Sequence, residues 1–249
     1  MTRRVLTLLR LLKTPYIKVR IEFNSRKIPV LVPLDHLEPA LLNLKHVFID
    51  CDYFQVDYAI PEPSSTVIDC GGFLGFYTIA ISQFLGERGT IHVFEPNPHV
   101  LPVLARNVEM GVNSRAYIYP RALCSHSGRV KLYIGENPAV TSTIRDHVEE
   151  FTNIRSIISV KCIKLSTALK YIGSISTIKL DVEGAELELL REAGNELRRA
   201  ESLVVEVHRD LVDTSEVEKL LGDLGFGFFV IYTSSEMPYQ VILYAKKIS

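Results

Sequence analysis

Thr66-Val67-Ile68-Asp69-Cys70-Gly71-Gly72-Phe73-Leu74-Gly75 is the stretch on which the fold turns. It opens as a short apolar run with one acid near its end. Three glycines then lead into the apolar segment from Phe76 to Gly86. A run of that length bounded by glycine reads as a buried strand, and the segment after it suits a packed helix. Glycine at 71, 72 and 75 lets the backbone turn sharply and approach a ligand that a Cβ would block. Ligands of open α/β sheets bind beyond the carboxyl ends of the strands, so Asp69, Gly71, Gly72 and Gly75 are candidate binding residues.

The same rhythm continues downstream. TIHVFE (90–95) leads to a helix from about Pro98 to Met110 that closes at Gly111, and AYIYP (116–120) follows. After a less regular region holding the strand pair RVKLYI (129–134) and ISVKCIK (158–164), the alternation resumes with STIKLD (176–181), a helix over 185–194, SLVVEVH (202–208) and a helix over 215–225. Ser215 and Glu218 have capping-box spacing at the start of that last helix. GFFVIY (227–232) and YQVILYAK (239–246) read as a closing antiparallel pair. Strands alternating with helices predict a doubly wound, mostly parallel α/β sheet covered on both faces.

Upstream, residues 16–33 alternate in strand fashion around Asn24-Ser25-Arg26 and predict a β-hairpin, followed by a helical or irregular stretch from Asp35 to about Lys45. Pro61-Glu62-Pro63-Ser64-Ser65 marks a boundary, dividing the chain into an N-terminal extension, 1–60, and a main domain, 61–249. Met1 to Lys13 places leucines at helical spacing among Arg3, Arg4, Arg10 and Lys13. Arg10 breaks the apolar run and no small-residue cleavage site follows, which argues against a signal peptide. The segment reads as an amphipathic helix, docked on the domain or resting on a membrane surface or partner.

The bulk numbers narrow the class. With 249 residues, 47% of them hydrophobic, the chain buries one sizeable core. A net charge of -1 demands neither nucleic acid nor an anionic membrane as partner. DNA is therefore not expected and RNA is disfavoured. Four cysteines (Cys51, Cys70, Cys124, Cys162) without a CxxC pair make a zinc site or a disulfide framework unexpected, and a reducing cytoplasm is the default location. No run reaches the roughly 20 apolar residues that span a bilayer.

Glu95, ending the second strand, lies 20 residues beyond Gly75 and can accept hydrogen bonds from both hydroxyls of a ribose. A dinucleotide fingerprint begun at Gly71 or Gly72 would need glycine where Phe73 and Phe76, or Leu74 and Tyr77, stand. That fingerprint fails. The pattern D-x-G-G-x-x-G suits instead a cationic sulfonium ligand without a pyrophosphate, S-adenosyl-methionine (SAM), with Asp69 near its amino acid portion. By analogy with the fold, Ala122 and Leu123, just past the third strand, flank the adenine.

On VIDCGGFLGFYT, VFEPNP, IKLDVEGAE and VVEVH, the chain from about Asp57 to Lys246 resembles the FkbM-type SAM-dependent methyltransferases. The resemblance implies a Rossmann-like seven-stranded sheet, SAM as cofactor and methylation of hydroxyl groups on sugars and natural products. By position it assigns Asp69, Gly71 and Gly75 to the SAM turn and Glu95 to the ribose. This chain departs from the family where Ala-Asn commonly follows the first glycine: Gly72 and Phe73 stand there. No asparagine hydrogen bond is available at 73, which leaves backbone contacts.

The chemistry is expected at the acidic strand end. Asp181 closes its strand where the sulfonium should lie, and Glu183 and Glu186 follow, three residues apart around a helix start. Carboxylates are favoured at a helix N-terminus by its dipole whatever their function. A hydroxyl acceptor also needs its proton removed, and a positioned carboxylate or histidine takes it. Asp181, Glu183 and His208 are the candidates. Glu206, two residues before His208, projects to the same side of the strand and is read as its partner. His36, His46, His92, His99, His126 and His147 are expected to be solvated. Asp181, Glu206 and His208 are donor types a divalent cation takes, but the sequence does not require one and no metal is assigned. Polar residues Asn137, Thr141, Ser142 and Thr143, in the irregular stretch 135–155, are candidates for closing the site over a small-molecule or glycan acceptor. Two other functions stay open: a methyltransferase of RNA or protein, for which the basic clusters in the N-terminal segment and around 115–131 speak, and a SAM-binding or interaction module without catalysis.

Overall fold

Asn24 and Ser25 both take positive φ (47° and 59°), the two-residue geometry that matches the twist of a hairpin. They join Tyr16–Phe23 (β1) to Arg26–Pro33 (β2) in antiparallel register. The computed structural model describes residues 15–233 and 239–248; the amphipathic segment Met1–Lys13 lies outside them. The helix Leu37–Phe48 (α1) and a 3-10 turn at Asp57–Ala59 complete the N-terminal part.

The main sheet begins with Thr66–Cys70 (β3), Thr90–Phe94 (β4) and Arg115–Tyr119 (β5) and resumes with Ile175–Leu180 (β10), Ala200–His208 (β11), Phe226–Tyr232 (β12) and Gln240–Lys247 (β13). Its seven strands run in the order β12-β13-β11-β10-β3-β4-β5. The five from β11 to β5 are parallel, β13 lies antiparallel to β11, and β12 antiparallel to β13. The fold is thus the Rossmann-like sheet that the sequence predicts, closing strand pair included. Chain order reverses between β3 and β10. That is the switch point beside which such sheets bind ligands.

Four further strands form a second sheet at that edge: Ala122–Cys124 (β6), Gly128–Gly135 (β7), Thr141–Ser142 (β8) and Ile154–Lys164 (β9), in the order β6-β9-β7-β8. The helix Arg145–Phe151 (α4) sits within the insertion. The sequence shows only the β7–β9 pair; β6 and β8 are too short for alternation to register.

Phe76–Leu85 (α2) is buried nearly all round, Thr78, Ser82 and Gln83 included. A helix apolar on every side needs cover on two. The sheet supplies one, and β2 and α1 supply the other, so that Ile28, Val30 and Val47 share a buried cluster with Val67, Ile79 and Leu104. Leu101–Gly111 (α3) carries the fastening between them. From it, the buried Asn107 accepts from Leu31 N at 2.6 Å and donates to Leu31 O at 3.1 Å and Leu74 O at 2.8 Å. Glu186–Ala193 (α6) follows β10, after Leu165–Lys170 (α5), and Thr214–Asp223 (α7) follows β11. The cap of α7 is Asp213, not Ser215: its carboxylate accepts from Ser215 N at 2.9 Å. Its extended backbone places the acid where the first free amides point, one residue before the helix. Among the described residues no helix is long and apolar enough to cross a membrane.

Replacing Asn107 by Leu strands a buried N–H and two buried carbonyls, each worth about 1–3 kcal/mol when unsatisfied. Thermal unfolding followed by circular dichroism is expected to show a loss of roughly 3 kcal/mol and a Tm lower by roughly 5–15 °C. A change under about 0.5 kcal/mol, the size of an ordinary surface substitution, would mean that the hairpin is not fastened through this side chain.

Candidate active site

The three glycines after β3 answer to three different neighbours. Gly71 (φ +87°) passes so close under the end of β10 that a Cβ would overlap the Asp181 carbonyl oxygen. At Gly72 a Cβ would press on Val93 of β4, and at Gly75 (φ +84°) it would meet Leu104 Cδ1 of α3 at 2.8 Å. Gly71 and Gly72 donate their amides to Phe94 O at 3.0 and 3.1 Å. Phe73 then takes a positive φ of 42° and turns its N–H to Glu95 Oε2 at 2.8 Å, while Asn97 N donates to Glu95 Oε1 at 2.7 Å. The Glu95 carboxyl is thereby fixed at the end of β4. Burial pushes its pKa up to about 7, against the pull of the two backbone amides.

Glu95 stands in the wall of a cavity with about 640 Å³ of empty space, counting the part open to solvent. Gly71, Phe73, Ala122 and Leu123 line it on the side of β3 to β6, and Asp181 and Glu183 on the side of β10. Thr141, Ser142 and Thr143 of the inserted sheet cover it; Asn137 is not in the wall.

Asp69, Gly72, Gly75 and His208 stand behind this wall rather than in it. Asp69 is fully buried; its Oδ2 accepts from Thr78 Oγ1 at 2.5 Å, and its Oδ1 lies 3.4 Å from Lys179 Nζ. Lys179 is the residue that the sequence reading missed. Its ammonium, 3% exposed, donates to Gly71 O at 2.8 Å and Asp181 Oδ2 at 3.0 Å and lies over the rings of Tyr53 and Tyr77 at 5.5 and 5.7 Å. Burial would lower its pKa, but Asp181 and Asp69 more than offset this and hold it above the usual lysine range. The signal was a lone cation in the otherwise apolar run Ile-Lys-Leu of a central strand, where lysine is almost never found unless paired.

Behind Asp181 lies a chain of carboxylates and imidazoles. Tyr53, from the N-terminal part, donates its hydroxyl to Glu206, whose pKa burial pushes up to about 8, with Asp181 adding to the rise. His208 Nδ1 bonds Glu186 Oε1 at 2.9 Å, not Glu206. Both side chains leave β11 on the expected side and lie near each other, but each finds its hydrogen bond elsewhere. Glu186 Oε1 also accepts from Gly184 N at 3.0 Å. Glu183 has a positive φ of 55° and brings its Oε2 to 2.9 Å from His147 Nε2 and 3.6 Å from His208 Nε2. His147 Nδ1 bonds Asp210 Oδ2 at 2.7 Å. For both imidazoles burial works to lower the pKa, and the neighbouring carboxylates outweigh it and raise it.

His147 and His46, read from the sequence as solvated, are buried. His46 faces Asp52, in the loop just after its own helix, and His147 faces Glu183 and Asp210 from distant elements, partners that leave no mark in the local sequence. Among the described residues, two groups hold donor atoms within 4.8 Å of one another: Asp181, Glu206 and His208, and His147, Glu183 and His208.

Residues 69–228 match the family model described as the methyltransferase FkbM domain. The chain is 26% identical over 218 residues to Methyltransferase 1 of Beauveria bassiana, a match covering 80% of this chain and 85% of that one. It is also 26% identical over 164 residues to the hexuronic acid methyltransferase AglP of Haloferax volcanii, covering 65% and 63% of the two chains. In fold it is similar to a SAM-dependent O-methyltransferase of Thermotoga maritima, with a TM-score of 0.51 and 13% identity over 93% of this chain and 78% of that one. The matched span contains the glycine turn, Glu95, Asp181 and His208, and the chain accordingly belongs to the FkbM family of SAM-dependent methyltransferases.

Proposed function

We propose that this enzyme methylates a hydroxyl oxygen of a sugar or other small metabolite. The observation that carries the reading is the pair of carboxylates, Asp181 and Glu183, in the wall of the cavity that Glu95 closes at its other end. Asp181 Oδ2 is held by Lys179, but its buried Oδ1 has no hydrogen-bond partner. A buried polar atom left unpaired costs about 1–3 kcal/mol, and a donor arriving from the cavity would remove that cost. A hydroxyl acceptor has such a donor, and its proton must leave as the new bond forms.

The cavity residues fit the cofactor. Glu95, already bonded to two amides, has lone pairs left for the ribose hydroxyls. Phe73, Ala122 and Leu123 supply apolar walls for the adenine. Gly71 brings main chain close to the ligand, and Asp69, Gly72 and Gly75 shape the turn from behind. SAM, when bound, supplies the methyl group. The protein aligns the acceptor and takes its proton on Asp181 or Glu183, while His208 acts through Glu183 as a positioning residue. AglP is named for action on a hexuronic acid, which supports a sugar as acceptor. Four unpaired cysteines suit a reducing compartment such as the cytoplasm.

Glu95 should make SAM binding depend on pH. A carboxyl with its pKa at about 7 is protonated below that value, and the ionised form is the better acceptor for two hydroxyls. Calorimetric titration is expected to show affinity falling as the pH drops through about 7 and levelling above it. Glu95→Gln is expected to weaken binding roughly 10–100-fold, the worth of a charge-assisted hydrogen bond, and to flatten the profile. Equal affinity in both proteins would remove Glu95 from the cofactor site.

Turnover is to be read as S-adenosyl-homocysteine released with a panel of sugars, uronic acids, RNA and peptides. Release is expected with a hydroxylated sugar; release with RNA or peptide alone would overturn the acceptor class. With that acceptor, Asp181→Asn is expected to lower kcat by roughly 10²-fold or more, the usual contribution of a positioned proton acceptor. The dissociation constant for SAM should stay within about threefold, since under 1 kcal/mol of binding is at stake. Unchanged kcat would exclude Asp181 from the chemistry.

A further inference from the structure

We infer that His147, Glu183 and His208 form a binding site for one divalent first-row transition-metal ion, such as zinc or manganese. The inference goes beyond the methyl-transfer reading and stands on the arrangement of the two imidazoles.

Each ring has its Nδ1 engaged by a carboxylate, His147 by Asp210 at 2.7 Å and His208 by Glu186 at 2.9 Å. An acceptor-only carboxylate fixes a proton on Nδ1, so a metal ion that displaces the proton from Nε2 finds the lone pair there. Metal-ligating histidines are held in this way, with an outer carboxylate setting tautomer and ring orientation. Here it occurs twice, on rings from different elements that cross at 86° with centroids 5.1 Å apart.

The two Nε2 atoms converge on a single oxygen, Glu183 Oε2, at 2.9 and 3.6 Å. Donors about 2.1 Å from one ion and about 90–110° apart are separated by roughly 3.0–3.4 Å. The observed separations bracket that edge length, and all three donor atoms lie within 4.8 Å of one another. The 3.6 Å separation is too long for a hydrogen bond. Indeed His208 Nε2 is buried without any hydrogen-bond partner, on a residue only 1% exposed. An orphaned ring nitrogen aimed at a carboxylate already bonded to a second ring is what a missing cation would leave behind.

Glu183 is held in place at a conformational cost. Its φ is +55°, uncommon for a residue with a side chain, and Gly184 after it has a φ of +95°. Ser142 Oγ donates to its carbonyl at 2.6 Å. Such strain persists where surrounding contacts over-determine it, and it clusters at ligand sites. Two imidazoles and one carboxylate match borderline ions rather than magnesium or calcium, which prefer oxygen donors alone. Because Glu183 lines the cavity, the ion would stand at its edge. If the methyl-transfer reading holds, it would there polarise the acceptor hydroxyl while Asp181 takes the proton.

The test uses the full chain, freed of metal by chelator and titrated calorimetrically with zinc, manganese or magnesium ions alone, with cobalt(II) absorption as a second readout. Zinc or manganese is expected to bind one to one in the micromolar range or tighter, and magnesium far more weakly. Cobalt(II) is expected to show visible bands of nitrogen and oxygen coordination. Asp210→Asn should weaken binding roughly 10–100-fold, as loss of an outer-shell partner does, and His147→Ala by more. Should His147→Ala fail to fold, Asp210→Asn and the cobalt spectrum decide. Absence of one-to-one binding, binding of magnesium alone, or zinc affinity unmoved by both substitutions would overturn the assignment. Titration of the metal-free protein with SAM tests the methyl-transfer reading separately, because no metal ligand holds that cofactor.

Discussion

One ammonium, that of Lys179, holds the switch point of the sheet together. It reaches across from β10 to bond the carbonyl of Gly71, at the end of β3, and lies between Asp69 and Asp181. Taking such a charge out of water costs several kcal/mol, and here two carboxylates, a carbonyl and two aromatic faces offset it. The dependence is mutual. Without the cation, Asp69 and Asp181 would be two carboxylates crowded into a nearly dry place, and neither strand end could keep its position. Lys179 occupies only one oxygen of Asp181, a residue of the cavity wall; the other oxygen is buried without a hydrogen-bond partner. A structural ion pair thus orients a carboxylate of the cavity wall.

The N-terminal part belongs to the same construction. Tyr53 lies within 5.5 Å of the Lys179 ammonium and donates its hydroxyl to Glu206. Tyr244 of β13 fastens the adjoining segment by donating its hydroxyl to the carbonyl of Asp52. These contacts seal the cluster on the side away from the cavity and cover the second face of α2. That helix could not be so apolar all round if the hairpin and α1 were elsewhere. The site is therefore lined from the sheet edge and insulated from the N-terminal side, which strengthens each charge interaction inside it.

How much of this was legible in the sequence follows from what kind of information each feature needs. The strand-helix alternation and the closing antiparallel pair are local patterns, and they were readable. So were the glycine turn and Glu95, which stand at the ends of two consecutive strands joined by one short crossover. Lys179 was in plain view, in a run whose burial on both faces forbids an unpaired charge. His147 was hidden for a different reason. It sits on the short helix Arg145–Phe151, whose polar sequence resembles a solvated loop, and its partners Glu183 and Asp210 arrive through later crossovers. Tyr53 meets Glu206 across 153 residues. No spacing rule connects them.

The pair Gly72-Phe73, where the family resemblance leads one to expect Ala-Asn, follows from the same geometry. What Glu95 needs from position 73 is a main-chain N–H, and phenylalanine provides it at 2.8 Å as well as asparagine would. The conformation is less comfortable: a φ of 42° is one that asparagine visits more readily than a bulky residue. In exchange the ring forms part of the cavity wall, giving apolar surface where an amide would be. Position 72 is tight in its own way, since a Cβ there would reach Val93 Cγ1 at 2.5 Å. With alanine in that place β4 or the turn would have to move apart, carrying Glu95 and the Phe73 amide with them. Glycine at 72 and phenylalanine at 73 are thus one adjustment: the first lets the turn close on β4, and the second uses that closeness to wall the cavity while the backbone keeps its hold on the Glu95 carboxylate.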